Sequence, residues 1–239
     1  MKISVITIVY NDAKGIIKTL DSIYLQRQYV DEYIIIDGGS TDGTVDVINQ
    51  SNVTPDVFIT ESDKGIYNAM NKGWRLASEG NHIIFVNSSD YLENNICKNL
   101  VESKIDRFDI VHGLARFIKN DEVLYVQGRD VKYLSVRMIE HPTCLVRKNV
   151  FIELNGFDEL YKLSSDYDFM LRAKAAGFKF KFIEKIISNF DLGGASSNSI
   201  LGAIETLKIK YKYNMLSKSS CAFRILQLRV TKLMKSIVK

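Results

Sequence analysis

The chain has 239 residues, 46% of them hydrophobic and 25% charged, with a net charge of +4. A chain of this length buries roughly 70–75% of its unfolded surface and forms one large domain or two small ones. No apolar run approaches the ~20 residues of a membrane-spanning helix. The segment MKISVITIVYND enters a strand pattern at once, without a cleavage site, which is read as a cytosolic protein rather than a secreted one. Cys97, Cys144 and Cys221 are odd in number and show no CxxC, so neither a disulfide framework nor a structural zinc site is expected.

KISVITIVY (2–10) reads as a strand, and Ile16, Ile17, Leu20, Ile23 and Tyr24 then mark a helix. A second strand, Tyr33 to Ile36, ends at Asp37 and a Gly-rich turn, followed by a short helix over 44–49. DVFITE (56–61) is a third strand, closed by SDKG. IYNAMNKGWRLAS (66–78) is amphipathic, with Ile66, Met70, Trp74 and Ala77 at helical spacing, so Trp74 is read as core. NHIIFV (81–86) is a fourth strand and delivers Asn87, Ser88, Ser89 and Asp90.

This alternation predicts a parallel α/β sheet, in which ligands bind beyond the carboxyl ends of the strands. All four strands end in polar or acidic residues: Tyr10-Asn11-Asp12, Asp37, Glu61-Ser62-Asp63 and Asn87 to Asp90. Four such endings in a row favour a site over chance loop chemistry. Asp42 reads as a turn or cap before Thr44.

After residue 91 the pattern loosens. FDIVHGLARFI (108–118) and EVLYVQG (122–128) form a hairpin pattern, which adds an antiparallel portion. His141 opens a further strand before Pro142, and a short helix follows to about Gly156. SSDYDFMLRAKAAG (164–177) is a helix, FKFKFIEKII (178–187) a half-exposed strand, and DLGGASSNS (191–199) a loop.

A basic helical tail closes the chain. From Ile204 to Lys239 there are nine Lys or Arg against a single Glu205, leaving 23 basic and 27 acidic residues elsewhere. Its apolar residues (Ile204, Leu207, Tyr211, Leu216, then Phe223, Leu226, Val230, Leu233, Ile237) recur at near-helical spacing. A basic amphipathic helix suits an anionic membrane surface. The alternative is that the stripe packs on the catalytic domain or a second subunit, which keeps a homodimer open. The expected layout is a domain over 1–198, with halves 1–90 and 91–198, and a tail over 199–239.

A sheet edge rich in acids suits a metal and a nucleotide, but GxGxxG and GxxxxGK[ST] are both missing after the first strand. Here TIVYN (7–11), IIIDGGSTDGT (34–44), ESDKGIYNAMNKG (61–73), FVNSSD (85–90), HPTCLVRK (141–148) and NGFDE with SSDYDFMLR (155–172) carry a resemblance. In this order and at these spacings they resemble glycosyltransferase family 2, the inverting GT-A-type enzymes, and its bacterial surface-polysaccharide members most of all. The resemblance covers about residues 1 to 195.

It implies a mostly parallel central sheet flanked by helices, with a small antiparallel portion. It also implies hexosyl or N-acetylhexosaminyl transfer from a nucleotide-diphosphate sugar to a glycan or lipid-linked hydroxyl, at the cytoplasmic face of a bacterial membrane. Carried over residue by residue, Tyr10 lies near the base, Asp37 holds base or ribose, Asp63 meets the base, and Lys64 approaches the diphosphate. An Asx-turn is the other reading of Asp37, and a solvated loop lysine that of Lys64. Asn71 and Ser89 join the donor set, Asn71 through a loop-directed hydrogen bond. Asp90 becomes the carboxylate for Mg²⁺ or Mn²⁺, with Asn87 and Ser89 where acids often stand; one acid suffices when phosphates and waters complete the shell.

The base of the inverting step falls on Asp166, where the family's Glu-Asp has become Ser165-Asp166; a helix cap is the alternative. Asp168 ranks behind it, and His141 is placed near acceptor or diphosphate. A nucleotidyltransferase would want a Gly-rich Arg/Lys loop after strand one. A nucleic-acid-binding module would want a wide basic face, which the acidic main body argues against.

Overall fold

The protein's structure, a computed structural model, describes residues 1–193 and 200–237. The expected boundary at 198/199, most of the 191–199 loop and the side chains of Leu233 and Ile237 lie outside the described residues.

Four strands run parallel in the first half: β1 (Ile3–Val9), β2 (Glu32–Asp37), β3 (Val57–Thr60) and β4 (His82–Phe85). β1 pairs with β2 on one side and β4 on the other, and β3 lies outside β2. All seven β1 residues are buried, as expected when helices cover both faces of a parallel sheet. Successive side chains alternate between those faces. Ile6 and Ile8 pack with α3 (Ile66–Leu76), α5 (Lys148–Leu154) and α6 (Ser165–Ala175). Val5 and Val9 pack with α1 (Gly15–Tyr24) and α4 (Ile96–Glu102). Trp74 is core, as its spacing predicts, and stacks on Phe151 at 5.7 Å. Gly73 brings α3 close to the sheet, since a Cβ there would come within 2.6 Å of Ile6 Cγ2.

The second half extends the same sheet. β5 (Tyr91–Leu92), β6 (Ile110–Lys119), β7 (Glu122–Gln127), β8 (Leu145–Arg147) and β9 (Phe180–Asp191) complete the order β3-β2-β1-β4-β8-β6-β9-β5, with β7 on β6. β8 is antiparallel to β4, β6 to β8 and β5 to β9, whereas β9 lies parallel to β6. The predicted β6–β7 hairpin turns on Asn120 and Asp121, with φ of +52° and +64°. Positive φ at both central residues matches the tight turn whose twist suits a two-residue hairpin.

One expectation changes. His141 does not open a strand: His141–Thr143 is a 3-10 turn, and β8 begins at Leu145. Pro142 lacks an N–H and its fixed φ suits the first turn of a helix, so the local chain turns before it extends.

The tail is two helices, α7 (Ile200–Lys212) and α8 (Lys218–Ile237), parted where Asn214 takes φ +57°. α7 belongs to the folded body. Ile209 is fully buried in the α3/α5/α6 core, with Tyr213 and Met215 against it. The Glu205 carboxylate accepts from Lys162 N and Leu163 N, both at 2.8 Å.

Candidate active site

The chain runs from β1 to β2 and β3 in one direction and returns to β4 on the other side. Such reversals leave a crevice at the carboxyl ends of the two central strands. Tyr10 to Asp12 leave one of these strands and Asn87 to Asp90 the other.

On the β2–β3 side, Tyr10 is 64% exposed. A Cβ on Gly38 would come 3.1 Å from Tyr10 Cδ2 and 2.6 Å from Asp63 Oδ2, so only glycine lets the backbone at 38 approach both side chains. Asp63 Oδ1 accepts from Gly65 N at 2.7 Å, and exposed Lys64 follows it. The exposed Tyr10 ring offers a face for stacking, and the Asp63 carboxylate offers an acceptor for an N–H.

Asp37 is different. It is fully buried, and its carboxylate accepts from Gly39 N (3.1 Å), Ser40 N (2.9 Å) and the hydroxyls of Ser40 and Thr60. The Asx-turn alternative describes its geometry, and the residue shapes the 38–41 loop rather than presenting oxygens above the sheet. Asp42 Oδ1 accepts from Thr44 N at 3.0 Å, the turn rather than the cap of the two readings offered for it, since Gly43 is the N-cap of the following helix. The Thr44 hydroxyl, more than burial opposes it, holds the Asp42 carboxyl below its ordinary value.

Asn71 is corrected from donor contact to loop anchor. Its Nδ2 donates to Phe157 O and Glu159 Oε1, and its Oδ1 accepts from Trp74 Nε1 and Phe157 N, all at 2.9 Å. All four hydrogen-bonding positions of the amide are filled inside the protein, so nothing remains for a ligand. Its expected hydrogen bond to a loop is real, and it ties α3 to the 157–159 segment. Glu159 completes the tie by accepting from Asn68 Nδ2 at 3.0 Å.

At the β1–β4 crevice the cluster centres on Asp12, which motif reading passed over. Ser88 and Ser89 donate to its Oδ2 at 2.6 and 2.9 Å, and Gly15 N to its Oδ1 at 3.1 Å. Ser89 sits at φ +73°, so its expected place in the site comes with a strained backbone that fixes the hydroxyl on Asp12. Asp90 is 4% exposed, and its Oδ1 accepts from Asp191 N at 3.0 Å. Burial first, then the charges of Asp191 and Asp12, push its carboxyl well above the usual range. Nearby, the buried Asn87 Oδ1 has no hydrogen-bond partner. This donor set is all oxygen, and it fits a hard divalent cation that draws its remaining ligands from phosphate and water. Among the described residues no three His, Cys, Asp or Glu side chains cluster closely enough to hold a metal unaided.

The third group lies at the start of α6. Its N-cap, Ser164, makes no side-chain cap hydrogen bond, and half-buried Asp166 accepts from Tyr67 Oη at 2.9 Å. The cap alternative for Asp166 therefore does not describe it. Burial, reinforced by the Asp166 charge, raises the Tyr67 phenol far above its ordinary value and keeps it a donor. His141 stacks on Phe85, at the end of β4, with centroids 6.0 Å apart. Burial lowers its pKa, and the Asp166 charge opposes the shift. Tyr67, His141 and Asp166 thus converge from three distant parts of the chain. Tyr67 lies inside the ESDKGIYNAMNKG stretch, but the motif reading gave it no role.

Asp168 is corrected. It is fully buried and accepts from Arg172 Nε (2.7 Å), Lys212 Nζ (2.9 Å) and Tyr213 Oη (3.1 Å), which pins α7 to α6. It lines a cavity of about 450 Å³ with Arg75, Glu159, Arg172 and Lys212, and Arg172 and Lys212 are both paired with Asp168 itself.

Comparison with known proteins gives this geometry its setting. The family description "Glycosyl transferase family 2" matches residues 4–186, more than half of the chain. The chain belongs to glycosyl transferase family 2. As a family member it is a glycosyltransferase working from a nucleotide-sugar donor, on the GT-A-type sheet its sequence predicts. A PGL/p-HBAD biosynthesis glycosyltransferase of Mycobacterium bovis (strain BCG / Pasteur 1173P2) is 27% identical over 206 residues, covering 83% of this chain and 80% of that one. Glycosyltransferase GlyA of Streptococcus pneumoniae is 25% identical over 229 residues, 94% of this chain but 30% of that larger protein. Among solved structures, S. aureus TarS 1-349 in complex with UDP-GlcNAc superposes with a TM-score of 0.72 at 18% identity, covering 95% of this chain and 71% of that one. The Pyrobaculum calidifontis mannosyltransferase PcManGT, in complex with GDP-Man and Mn²⁺, gives 0.67 at 18% identity, covering 95% and 68%. In other TarS structures the chain spans as little as 39% of the polypeptide, so these likenesses speak to the fold.

Proposed function

We propose that this family member is an inverting transferase. It moves a hexosyl or N-acetylhexosaminyl group from a nucleoside-diphosphate sugar to a hydroxyl of a bacterial surface glycan or its lipid-linked precursor. The observation that carries the reading is Asp166, a half-buried carboxylate at the start of α6 that receives one phenolic hydrogen bond from Tyr67 instead of capping its helix. A carboxylate so held can take the proton of an acceptor hydroxyl as its oxygen attacks the anomeric carbon. The bond from that carbon to the diphosphate breaks on the opposite face, and the diphosphate leaves with the electron pair.

The exposed Tyr10 ring, packed with Asp63 around Gly38, supports base recognition, and Lys64 lies next to Asp63 to meet diphosphate charge. Asp90, with the unpartnered Asn87 Oδ1, would hold a divalent cation, Mg²⁺ or Mn²⁺. When bound, that ion would neutralise charge on the departing diphosphate. The neighbours solved with UDP-GlcNAc, or with GDP-Man and Mn²⁺, support a donor and a metal of this kind.

The test offers the protein a panel of sugar nucleotides with a soluble acceptor, following nucleoside diphosphate release and the anomeric configuration of the product by NMR. Release with inverted configuration is expected. Retained configuration, or no release from any donor, would refute the proposal.

A further inference from the structure

Helix α8 has two apolar faces, and the protein covers only one of them. Cys221 is buried, and Ile225 and Leu228 are half-buried on the inner side, beside α7. On the other side Phe223, Leu226, Val230 and Met234 are 60%, 59%, 46% and 62% exposed. At the helical rotation of about 100° per residue these four fall within an arc of roughly 80°. Arg229 and Lys218 border the arc on one side and Arg224 on the other, and all three are exposed. From Lys218 to Ile237 the sequence contains no acidic residue.

The charge selects the occupant. A second copy of α8 laid against this face would bring cations onto cations with no acid on the helix to pair them. A surface that accepts four bulky apolar side chains while presenting many negative charges satisfies both halves of the pattern, and an anionic bilayer is such a surface. No described helix is long and apolar enough to cross a membrane, which leaves an in-plane geometry for α8.

We propose that α8 docks the enzyme on anionic lipid. Phe223, Leu226, Val230 and Met234 enter the headgroup–acyl boundary, and the flanking Arg and Lys side chains lie on lipid headgroups. The inference rests on the exposed face of α8 and stands whether or not the sugar-transfer reading is right. If both hold, the enzyme meets a lipid-linked acceptor at the surface where that acceptor resides, on the inner face of the membrane.

The test uses the full-length protein and co-sedimentation with vesicles of phosphatidylcholine alone or mixed equally with phosphatidylglycerol. Binding to the anionic vesicles at low salt, release at high salt and little binding to phosphatidylcholine are expected. Each cation carries about a fivefold share of the affinity, so Arg224→Glu with Arg229→Glu should weaken binding more than tenfold. Phe223→Ser with Leu226→Ser should do the same without altering the far-UV spectrum, since both side chains face solvent. Both variants should release nucleoside diphosphate with a soluble acceptor at the parent rate. Variants that bind anionic vesicles as the parent does would overturn the proposal. So would a parent protein that ignores those vesicles, or one that forms a dimer lost in Phe223→Ser/Leu226→Ser.

Discussion

Asp37 and Asp166 are both acids placed by the same fold, yet one builds and the other is left to act. Asp37 has no exposed surface and accepts from two backbone N–H groups and two hydroxyls. Asp166 is half-buried and accepts from one phenol. The same contrast separates Asn71 and Asp168, whose hydrogen-bonding capacity is taken up inside the protein, from Tyr10, which is exposed, and Asp63, which is half-buried. A motif acid is a candidate for chemistry only after its internal partners have been counted.

Breaking this comparison starts with Asp90. Asp90→Asn should lower turnover by roughly 10³-fold, through loss of several kcal/mol of charge stabilisation at the diphosphate. Asn keeps the shape and an acceptor for Asp191 N, and it removes a buried charge that Asp12 and Asp191 repel. Its melting temperature should therefore equal or exceed that of the parent. A variant that stays active at saturating Mn²⁺ would make Asp90 a structural residue.

Asp37→Ala leaves two backbone donors and two hydroxyls without their acceptor, a destabilisation of about 3 kcal/mol. Denaturant titration should show it, and a variant of parental stability would mean that solvent satisfies the loop. Tyr67→Phe removes one hydrogen bond to the proposed base, worth about 1–2 kcal/mol. It should lower kcat several-fold with the donor KM unchanged. A shift in KM alone would place Tyr67 in donor binding.

The smallest effect concerns His112, fully buried between Phe180 and Phe182. Burial pushes its pKa down to about 4. The unfolded chain binds a proton near pH 6.5 that the folded chain refuses, so stability falls as pH drops from about 6.5 towards 4 and this contribution is constant below. The slope is at most ~1.4 kcal/mol per pH unit. His112→Phe should flatten the fall, and an unchanged slope would assign it to other groups.

The sequence marked the polar edge of the sheet better than it marked the partners of the residues along that edge. Buried parallel strands read as unbroken apolar runs, and their polar endings marked the edge where Tyr10, Asp63 and Asp90 gather. What closes Asp37 comes partly from Thr60, and what fills Asn71 comes from Phe157 and Glu159, 86 to 88 positions away. Periodicity carries no record of such partners. The tail teaches the same lesson. Apolar spacing was near-helical throughout, but the Asn214 break sends Ile209 into the core and leaves Phe223 and Leu226 in solvent. An amphipathic pattern names a face, and only the packed structure says what covers it.

The central claim, that Asp166 is the base of a transfer whose donor is held elsewhere, is tested most directly by comparing two quantities in Asp166→Asn: the transfer rate under single-turnover conditions and the affinity for the sugar nucleotide by calorimetry. The account predicts a rate lower by about 10²-fold or more, with donor affinity unchanged. Parental transfer, or a donor affinity that falls together with the rate, would contradict it.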